Sequence, residues 1–128
     1  MNIVHFINSL ETKGGAEHLV CEYVEKDGHK VVTLHEIKRS LWRLKDLHSI
    51  INLLKSADII HVHLFPCLYY GFFLKIFFRK NIVFTEHNSW NRRRKFKLIR
   101  LIEKFIYRKY DRITCISQGT LDALVDWI

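Results

Sequence analysis

Two adjacent glycines, Gly14 and Gly15, stand in a sequence context that suits the binding of phosphate. They follow a short apolar run, Ile3–Ile7, and precede apolar residues at helical spacing. A helix that begins at such a pair presents unpaired N–H groups and the positive end of its dipole, and glycine lets a ligand approach closely. The spacing is neither GxGxxG nor the Walker pattern, so classical dinucleotide and P-loop sites are not indicated. The pair could equally make an ordinary tight turn, with Glu17 complementing the helix dipole.

Three histidines are candidates for hydrogen bonding or proton transfer. His61 and His63 lie two apart in a strand pattern and therefore point to the same side, and His87 follows the next strand pattern. A neutral imidazole at the end of a strand can donate to a sugar hydroxyl or receive a proton. We expect His61 to be a hydrogen-bonded core residue and His87 to be functional. A zinc site formed by all three is conceivable, but no further ligand set accompanies them, so we expect no metal.

The positive charge of the chain is concentrated in residues 91–112. That segment holds ten basic residues against two acidic ones, which accounts for the whole formal net charge of +8. Over 93–109 the spacing predicts an amphipathic helix, and basic residues with flanking aromatics match a helix that lies on an anionic bilayer. A solvated face without a partner is the alternative, and nucleic acid is not expected because no known nucleic-acid-binding motif accompanies the helix. The residues expected to face the membrane are Phe96, Lys97, Arg100, Lys104, Tyr107 and Arg108.

Composition restricts the class of protein. The 128 residues are 48% hydrophobic and 27% charged, with one proline and five glycines, which excludes disordered and collagen-like chains. Three widely spaced cysteines without a CxxC pair indicate free thiols in a reducing cytoplasm. The start of the chain lacks the pattern of a signal peptide, and its longest uncharged apolar stretch, residues 64–74, is far shorter than the roughly 20 residues that span a bilayer.

Short strand patterns alternate with longer helical patterns along the whole chain. Five strand–helix units in series predict a doubly wound, Rossmann-like α/β fold, with a parallel sheet of about five strands and helices on both faces, as a single domain over 1–128. In such sheets the ligand binds at the carboxyl ends of the strands. The predicted strands are 3–7, 30–34, 58–63, 81–86 and 112–116, and the segments expected to line a common crevice are 8–15, 35–36, 63–65, 86–90 and 117–118.

Taken in order, these motifs resemble the N-terminal half of a GT-B-fold, family-4 glycosyltransferase. The resemblance covers essentially the whole chain, and it depends on the order of the motifs and on their places at the ends of strands. The matching segments are IVHFI followed by Gly14-Gly15-Ala16-Glu17, then DIIHVH at 58–63, Thr85-Glu86-His87-Asn88, and DRITCIS at 111–117.

The resemblance implies roles for particular residues. Gly14 and Gly15 would form a loop facing the phosphates of the donor, accompanied by Glu17, and His87 would be the catalytic-site histidine that contacts the transferred sugar. The DIIHVH motif would have a more structural role. Residues expected to line the acceptor side of the crevice are His63, Glu86, Asn88 and Ser117.

The resemblance also implies a function. The chain would be the acceptor-binding half of a retaining glycosyltransferase in polysaccharide biosynthesis, which moves a sugar from a nucleotide sugar to a glycan or lipid-linked acceptor and needs no further cofactor. It would work in the cytoplasm, peripherally at the inner face of the membrane. Such enzymes bind the donor with a second Rossmann-like domain, which should begin where this chain stops. The chain would therefore be a fragment, or one subunit of a split enzyme, and inactive alone.

Two other functions stay open. The domain could be a non-enzymatic module that docks on an anionic membrane or on a protein partner. It could also be a metal hydrolase that uses the histidines. The three functions have different requirements. The glycosyltransferase needs the missing donor-binding half, the docking module needs an intact basic surface, and the hydrolase needs a bound metal ion.

Overall fold

The computed structural model describes residues 1–11 and 14–128. Its strands run in parallel and form one sheet, which confirms the predicted α/β class. They are β1 (Ile3–Ile7), β2 (Lys30–Thr33), β3 (Ile59–His63), β4 (Asn81–Glu86) and β5 (Arg112–Cys115). The strand order is β2-β1-β3-β4-β5, so the chain reverses direction across the sheet after β2. This reversal lies between β1 and β3, where a doubly wound sheet opens a crevice for a ligand.

Six α-helices and a short 3₁₀ turn connect the strands in the described ranges. One of them is a short helix that follows β2 directly and was not predicted from the sequence. Its start is fixed by a capping box, in which Thr33 Oγ1 accepts from the backbone N–H of Glu36 and the Glu36 carboxylate accepts from the N–H of Thr33. The helices are α1 (Gly15–Asp27), α2 (Leu34–Ser40), α3 (Leu44–Ser56), α4 (Cys67–Phe78), α5 (Lys97–Tyr107) and α6 (Gln118–Trp127), with the 3₁₀ turn at Arg92–Lys95.

The two faces of the sheet have different neighbours. Alternate residues of β1, β3 and β4, such as Phe6, Val62 and Phe84, are completely buried and form the main core with residues of α2 to α6. On the other face, Ile7 packs against Ala16 and Val20 of α1 in a second, smaller cluster. Helices therefore cover both faces as predicted, but unevenly, and the histidines of β1 and β3 lie on the α1 face.

Helix α5 is anchored to the core by polar side chains. Glu103 is fully buried and its carboxylate accepts from the hydroxyl of Tyr69 at 2.7 Å, from the indole N–H of Trp127 at 2.6 Å and from Nε of Arg93. These contacts join α5 to α4, to α6 and to the 3₁₀ turn. As a result the buried face of α5 is the one that carries Glu103 and Tyr107, and much of its apolar arc faces outward.

Candidate functional site

The carboxyl ends of β1, β3 and β4 meet at one edge because these strands are neighbours in the sheet. His63 at the end of β3 pairs in register with Thr85 of β4, and His87 follows two residues later on the same face. The imidazoles are in contact, with His63 Nδ1 and His87 Nε2 3.1 Å apart. His87 is therefore half-buried at the mouth of the crevice that the fold predicts.

The glycine pair opens α1 beside this edge. Gly14 is the N-cap, in an extended conformation and without a side-chain cap, and Gly15 is the first helical residue. A Cβ at Gly14 would meet the Glu17 carboxylate, whereas a Cβ at Gly15 would have no described neighbour within 4 Å. Among the described residues, the Cβ side of Gly15 at the start of α1 is therefore open, and a helix terminus of this kind is suited to bind phosphate.

The start of α1 and His87 lie at the same rim. Leu64, which follows β3, packs against the cluster of Ile7, Ala16 and Val20, so the first turns of α1 cover the end of β3. Leu64 also has a φ of 62°, a left-handed conformation that is uncommon for a branched residue and is found most often near functional sites. The rim predicted from the sequence is thus formed by α1 and by the residues that follow β3 and β4.

Electrostatics at the rim favour a neutral imidazole at residue 87. Burial lowers the pKa of His87, and the charges of Glu86 and Glu17 oppose that shift in part. The influence of Glu17 is independent evidence that the first turn of α1 is close to this ring. A neutral imidazole has one donor and one acceptor nitrogen, so His87 can hydrogen-bond a sugar hydroxyl at neutral pH.

His87 is the outer member of a chain of imidazoles that crosses the α1 face. His5 Nδ1 lies 3.0 Å from His63 Nε2, and His5 Nε2 lies 2.9 Å from His29 Nδ1. His61 is bound separately, through Nε2, to the hydroxyl of Thr85 at 2.6 Å. The sequence analysis missed His5 and His29, because their proximity to His63 depends on the pairing of β1 with β2 and β3. Side chains alternate between the two faces along β1, so the sequence does indicate that His5 lies on the face opposite the main core. It carries no other sign of the contacts that His5 makes.

Burial keeps the inner imidazoles of this chain neutral. It lowers the pKa of His5 and of His61 to about 4, and that of His63 to about 2. The three sequence candidates for a metal site were His61, His63 and His87. The set whose nitrogen atoms converge is instead His5, His61 and His63, with one ring nitrogen of each within 4.8 Å of the others.

The structure corrects two predictions for the crevice. His63 is fully buried between His5 and His87 and does not line it, and neither does Glu86. Its side chain lies on the main-core face, 2% exposed, and its carboxylate accepts from the hydroxyl of Tyr107 at 2.7 Å and forms an ion pair with Arg94 at 3.5 Å. The alternation of β4 causes this, because Glu86 continues the face of Phe84 rather than that of Thr85. Glu86 holds α5 on the sheet, and its charge reaches the crevice only through its effect on His87.

Two other predicted crevice residues lie at the edge of the sheet. Asn88 is exposed, and its backbone N–H donates to the Glu86 carboxylate at 3.2 Å. Ser117 is also exposed, and its hydroxyl caps α6 by accepting from the N–H of Thr120 at 3.2 Å. Both side chains remain accessible to a ligand. Their predicted contact with the acceptor stays a prediction.

A cavity of about 590 Å³ opens beside the ends of β1 and β2. The predicted segments 8–15 and 35–36 supply three of its residues, although residues 12 and 13 of the first segment lie outside the described part. The other three come from α2 and the turn after it, which the sequence analysis did not identify. The lining residues are Asn8, Ser9, His35, Lys38, Arg39 and Trp42.

The predicted membrane-facing residues do not share one surface. Tyr107 is 1% exposed and bonded to Glu86, so its prediction was wrong. Arg100 is exposed but donates to the backbone carbonyl of Asp126 and lies over the ring of Trp127, and Lys104 is half-buried. Phe96, Lys97 and Arg108 are exposed. The physical reason is that the polar partners of Tyr107 and Glu103 lie inside the protein, which turns the helix relative to the predicted orientation.

The same rotation exposes a large apolar surface on α4 and α5. Phe77 of α4 is 76% exposed, and Leu98 and Leu101 of α5 are 70% and 66% exposed. An apolar groove of about 400 Å³ runs between the two helices. Within the described ranges, no helix combines the length and the apolar composition needed to cross a bilayer.

Comparison with known proteins adds an independent result. Residues 3–128 match the family model described as Glycosyltransferase Family 4. No curated protein sequence matches the chain. The match includes every strand and helix described above and all the residues of the rim.

Proposed function

Because this chain belongs to glycosyltransferase family 4, we propose that it is the acceptor-side domain of a retaining enzyme that transfers a sugar from a nucleotide sugar to a glycan or lipid-linked acceptor. A second domain, supplied by a longer chain or by a partner subunit, would hold most of the donor. The observation that carries the proposal is the shared rim, at which the start of α1, open at the Cβ side of Gly15 among the described residues, lies near the neutral imidazole of His87.

The start of α1 would stabilise the charge that develops on the leaving phosphate. Negative charge grows on the donor phosphate as the bond to the sugar breaks. Preorganised N–H groups at a helix terminus stabilise that charge, since they need no reorientation during the reaction. The open space at Gly15 lets a phosphate approach the backbone, and any larger side chain would occupy it.

His87 would orient the transferred sugar. The chain of imidazoles uses Nε2 of His87, so Nδ1 is the ring nitrogen left for a ligand. A hydrogen bond from this atom to a sugar hydroxyl would fix the reacting carbon against the acceptor, which is a positioning effect. Because the ring is neutral, it does not compete with the start of α1 for the negatively charged donor phosphate.

The acceptor would enter through the cavity beside β1 and β2. Lys38 and Arg39 give this cavity positive charge, and Trp42 adds an almost fully exposed aromatic ring. Cations suit a phosphate of a lipid-linked acceptor, and an exposed indole suits the apolar face of a sugar ring.

A transfer assay with the donor-binding half supplied, by fusion or by mixing, tests the proposal. Gly15→Asp should reduce the rate of transfer by at least tenfold, because its carboxylate would occupy the phosphate position. The matched control is Gly119→Asp, since Gly119 also lies in the first turn of a helix with no described neighbour near its Cβ. His87→Ala should lower the rate to a similar degree. Full activity in both site variants would remove the assignment of this rim.

We also propose that the domain docks on the inner, anionic face of a cytoplasmic membrane through α4 and α5. The support is the exposed apolar surface of α4 and α5, which includes Phe77, Leu98 and Leu101 and borders an apolar groove of about 400 Å³. Lys97 and Arg108 are exposed on α5, and Arg79 is exposed at the end of α4. Apolar side chains between cations are the arrangement of a helix lying in a bilayer interface.

Co-sedimentation with vesicles tests the docking surface. The protein should bind vesicles that contain anionic lipid and should bind zwitterionic vesicles weakly. Leu98→Glu with Leu101→Glu should abolish binding, whereas Leu121→Glu, at an exposed leucine of α6, should leave it unchanged. Binding that survives the double variant would show that another surface contacts the lipid. This result is separate from the transfer assay, which uses a soluble acceptor.

A further inference from the structure

We propose that His5, His61 and His63 form a binding site for a divalent transition metal ion of the zinc type. The site goes beyond the proposed function, because the transfer mechanism described above uses no metal. It joins β1 to β3 on the α1 face of the sheet, where His5 and His61 pair in register and His63 is the next residue on that face. One ring nitrogen of each lies within 4.8 Å of the others.

Each of the three rings already uses its other nitrogen on a neighbour. His5 contacts His29 through Nε2 at 2.9 Å, and His63 contacts His87 through Nδ1 at 3.1 Å. His61 contacts the hydroxyl of Thr85 through Nε2 at 2.6 Å. Metal-binding histidines characteristically donate their second N–H to such a partner, which fixes the tautomer and turns the lone pair toward the ion. Nδ1 of His5 and Nε2 of His63 face each other, and Nδ1 of His61 is the ring nitrogen that its contact with Thr85 does not use.

The spacing of two of these nitrogens is close to that of a zinc site, and the third nitrogen lies within 4.8 Å of both. His5 Nδ1 and His63 Nε2 are 3.0 Å apart. Two nitrogens of a tetrahedral zinc site, each about 2.0–2.1 Å from the metal, are separated by about 3.3 Å. When the nitrogens that contact His29, Thr85 and His87 carry the protons, His5 Nδ1 and His63 Nε2 have no proton between them. Their lone pairs then face each other and repel, and a cation bound between them removes this repulsion. The alternative is a single proton shared by this pair.

The chemical state of the site also suits a metal. Only a deprotonated imidazole ligates a metal ion, and here His5 and His63 are buried and His61 is partly buried. Three imidazoles without a thiolate favour zinc, copper or nickel over calcium or magnesium. Because His61 is half-exposed, an ion has a path from solvent, and a water molecule can take the fourth position.

A bound ion would act on the rim as well as on the sheet. It would hold the proton of His63 on Nδ1, which donates to His87 Nε2. His87 would then carry its own proton on Nδ1, the nitrogen left for a ligand. The ion would thereby set the tautomer of His87 through the single intervening residue His63. Its role would be structural, and it would take no part in the reaction.

Metal binding is measured on the full chain without a histidine tag. Protein treated with a chelator and freed of it is titrated with Zn²⁺ and, separately, with Co²⁺. We expect one equivalent to bind, with visible absorption from the Co²⁺ adduct that Zn²⁺ abolishes by displacement. The control is the double variant His18→Ala with His48→Ala, which removes two exposed histidines outside the cluster and should bind like the parent chain.

One variant removes a ligand of the site, and a second removes the hydrogen-bond partner of that ligand. His61→Gln removes one ligand and leaves the buried pair of His5 and His63 in place, so it should fold and lose the absorption of the Co²⁺ adduct. Thr85→Val removes only the partner of His61 and should weaken Zn²⁺ binding by about 10–100-fold. Circular dichroism of each variant verifies that it is folded.

Two outcomes would overturn the proposal. One is Zn²⁺ binding that is equal in the parent chain and in His61→Gln, because binding would then reside elsewhere. The other is a proton shared by His5 and His63 that persists in excess Zn²⁺, detected from imidazole ¹⁵N shifts. That result would show that the imidazoles form only a hydrogen-bonded chain.

Discussion

The two faces of the sheet bury ionisable side chains in different ways. On the main-core face, both carboxylate oxygens of Glu86 and of Glu103 accept hydrogen bonds, and the donors include Tyr107 and Trp127 of other elements. On the α1 face, the imidazoles contact mainly one another, and burial keeps them uncharged. The carboxylates are therefore saturated by the protein, whereas the imidazoles still have ring nitrogens at the rim and within the cluster that can bind something else.

This difference separates stability from function within one fold. Saturated carboxylates hold α4, α5 and α6 on the sheet and have no capacity left for a ligand. The imidazole cluster joins β1, β3 and β4, and it ends at His87 in the crevice. The comparison predicts that disrupting either cluster destabilises the protein, but that only the imidazole cluster responds to pH near neutrality.

The largest expected effect is a loss of stability on mild acidification of the metal-free protein. The pKa of His5 and of His61 is about 4 in the folded chain and that of His63 about 2, against 6.5 without burial. Below pH 6.5 the unfolded chain binds protons that the folded chain does not. The free energy of unfolding should therefore fall by about 1.4 kcal/mol per pH unit for each of these histidines.

Urea denaturation between pH 7 and pH 5 measures this effect. The loss should begin near pH 6.5 and continue toward pH 4 for His5 and His61, and further for His63. In His61→Gln the unfolding free energy should change less steeply with pH, by the amount that corresponds to about one proton. His18→Ala, at an exposed histidine, should show the same dependence on pH as the parent chain. Stability that is constant or rises from pH 7 to pH 5 would contradict the assignment of buried neutral imidazoles.

The next effect in size is the loss of the Glu103 carboxylate. In Glu103→Ala the Arg93 guanidinium and the polar groups of Tyr69 and Trp127 lose their shared acceptor inside the protein. Breaking a buried charged pair in this way costs about 3–5 kcal/mol of unfolding free energy. Unlike the effect of the histidines, this loss should be the same at pH 7 and at pH 6.

Thermal and urea unfolding of Glu103→Ala measure that loss. Glu25→Ala is the matched control, because Glu25 is an exposed glutamate of α1 whose removal should change stability by less than about 0.5 kcal/mol. Glu103→Gln keeps an oxygen acceptor and should fall between the two. If Glu103→Ala were as stable as the control, the carboxylate could not be what fixes the orientation of α5.

The strands and their parallel arrangement could be predicted from the sequence because each strand is a short apolar run between helical patterns. The orientation of α5 could not, since a helical wheel assigns its apolar arc to the core. In the structure the arc is exposed because Glu103 and Tyr107 have polar partners inside, and those partners are distant in sequence.

The rim was predictable in part for a similar reason. Gly14, Gly15 and His87 follow strands, and the rule for parallel sheets brings the ends of strands together. The contacts of His5 with His29 and His63 depend instead on which strands are neighbours, and the sequence does not specify that order. Helix α2 was missed although its capping box, Thr33 with Glu36, is visible in the sequence.

The smallest expected loss of stability comes from removing the capping box of α2. It is a reference against which the effects of the imidazole and carboxylate clusters can be compared. Thr33→Ala removes the hydroxyl that accepts from the N–H of Glu36, a loss typically of about 1 kcal/mol. Thr33→Ser keeps the hydroxyl and should be close to the parent chain. Since the cap lies apart from the imidazole and carboxylate clusters, its effect on the urea midpoint should not depend on pH between 7 and 6. A pH-dependent loss in Thr33→Ala would mean that α2 is coupled to the imidazole cluster, and the two faces could then no longer be treated as separate.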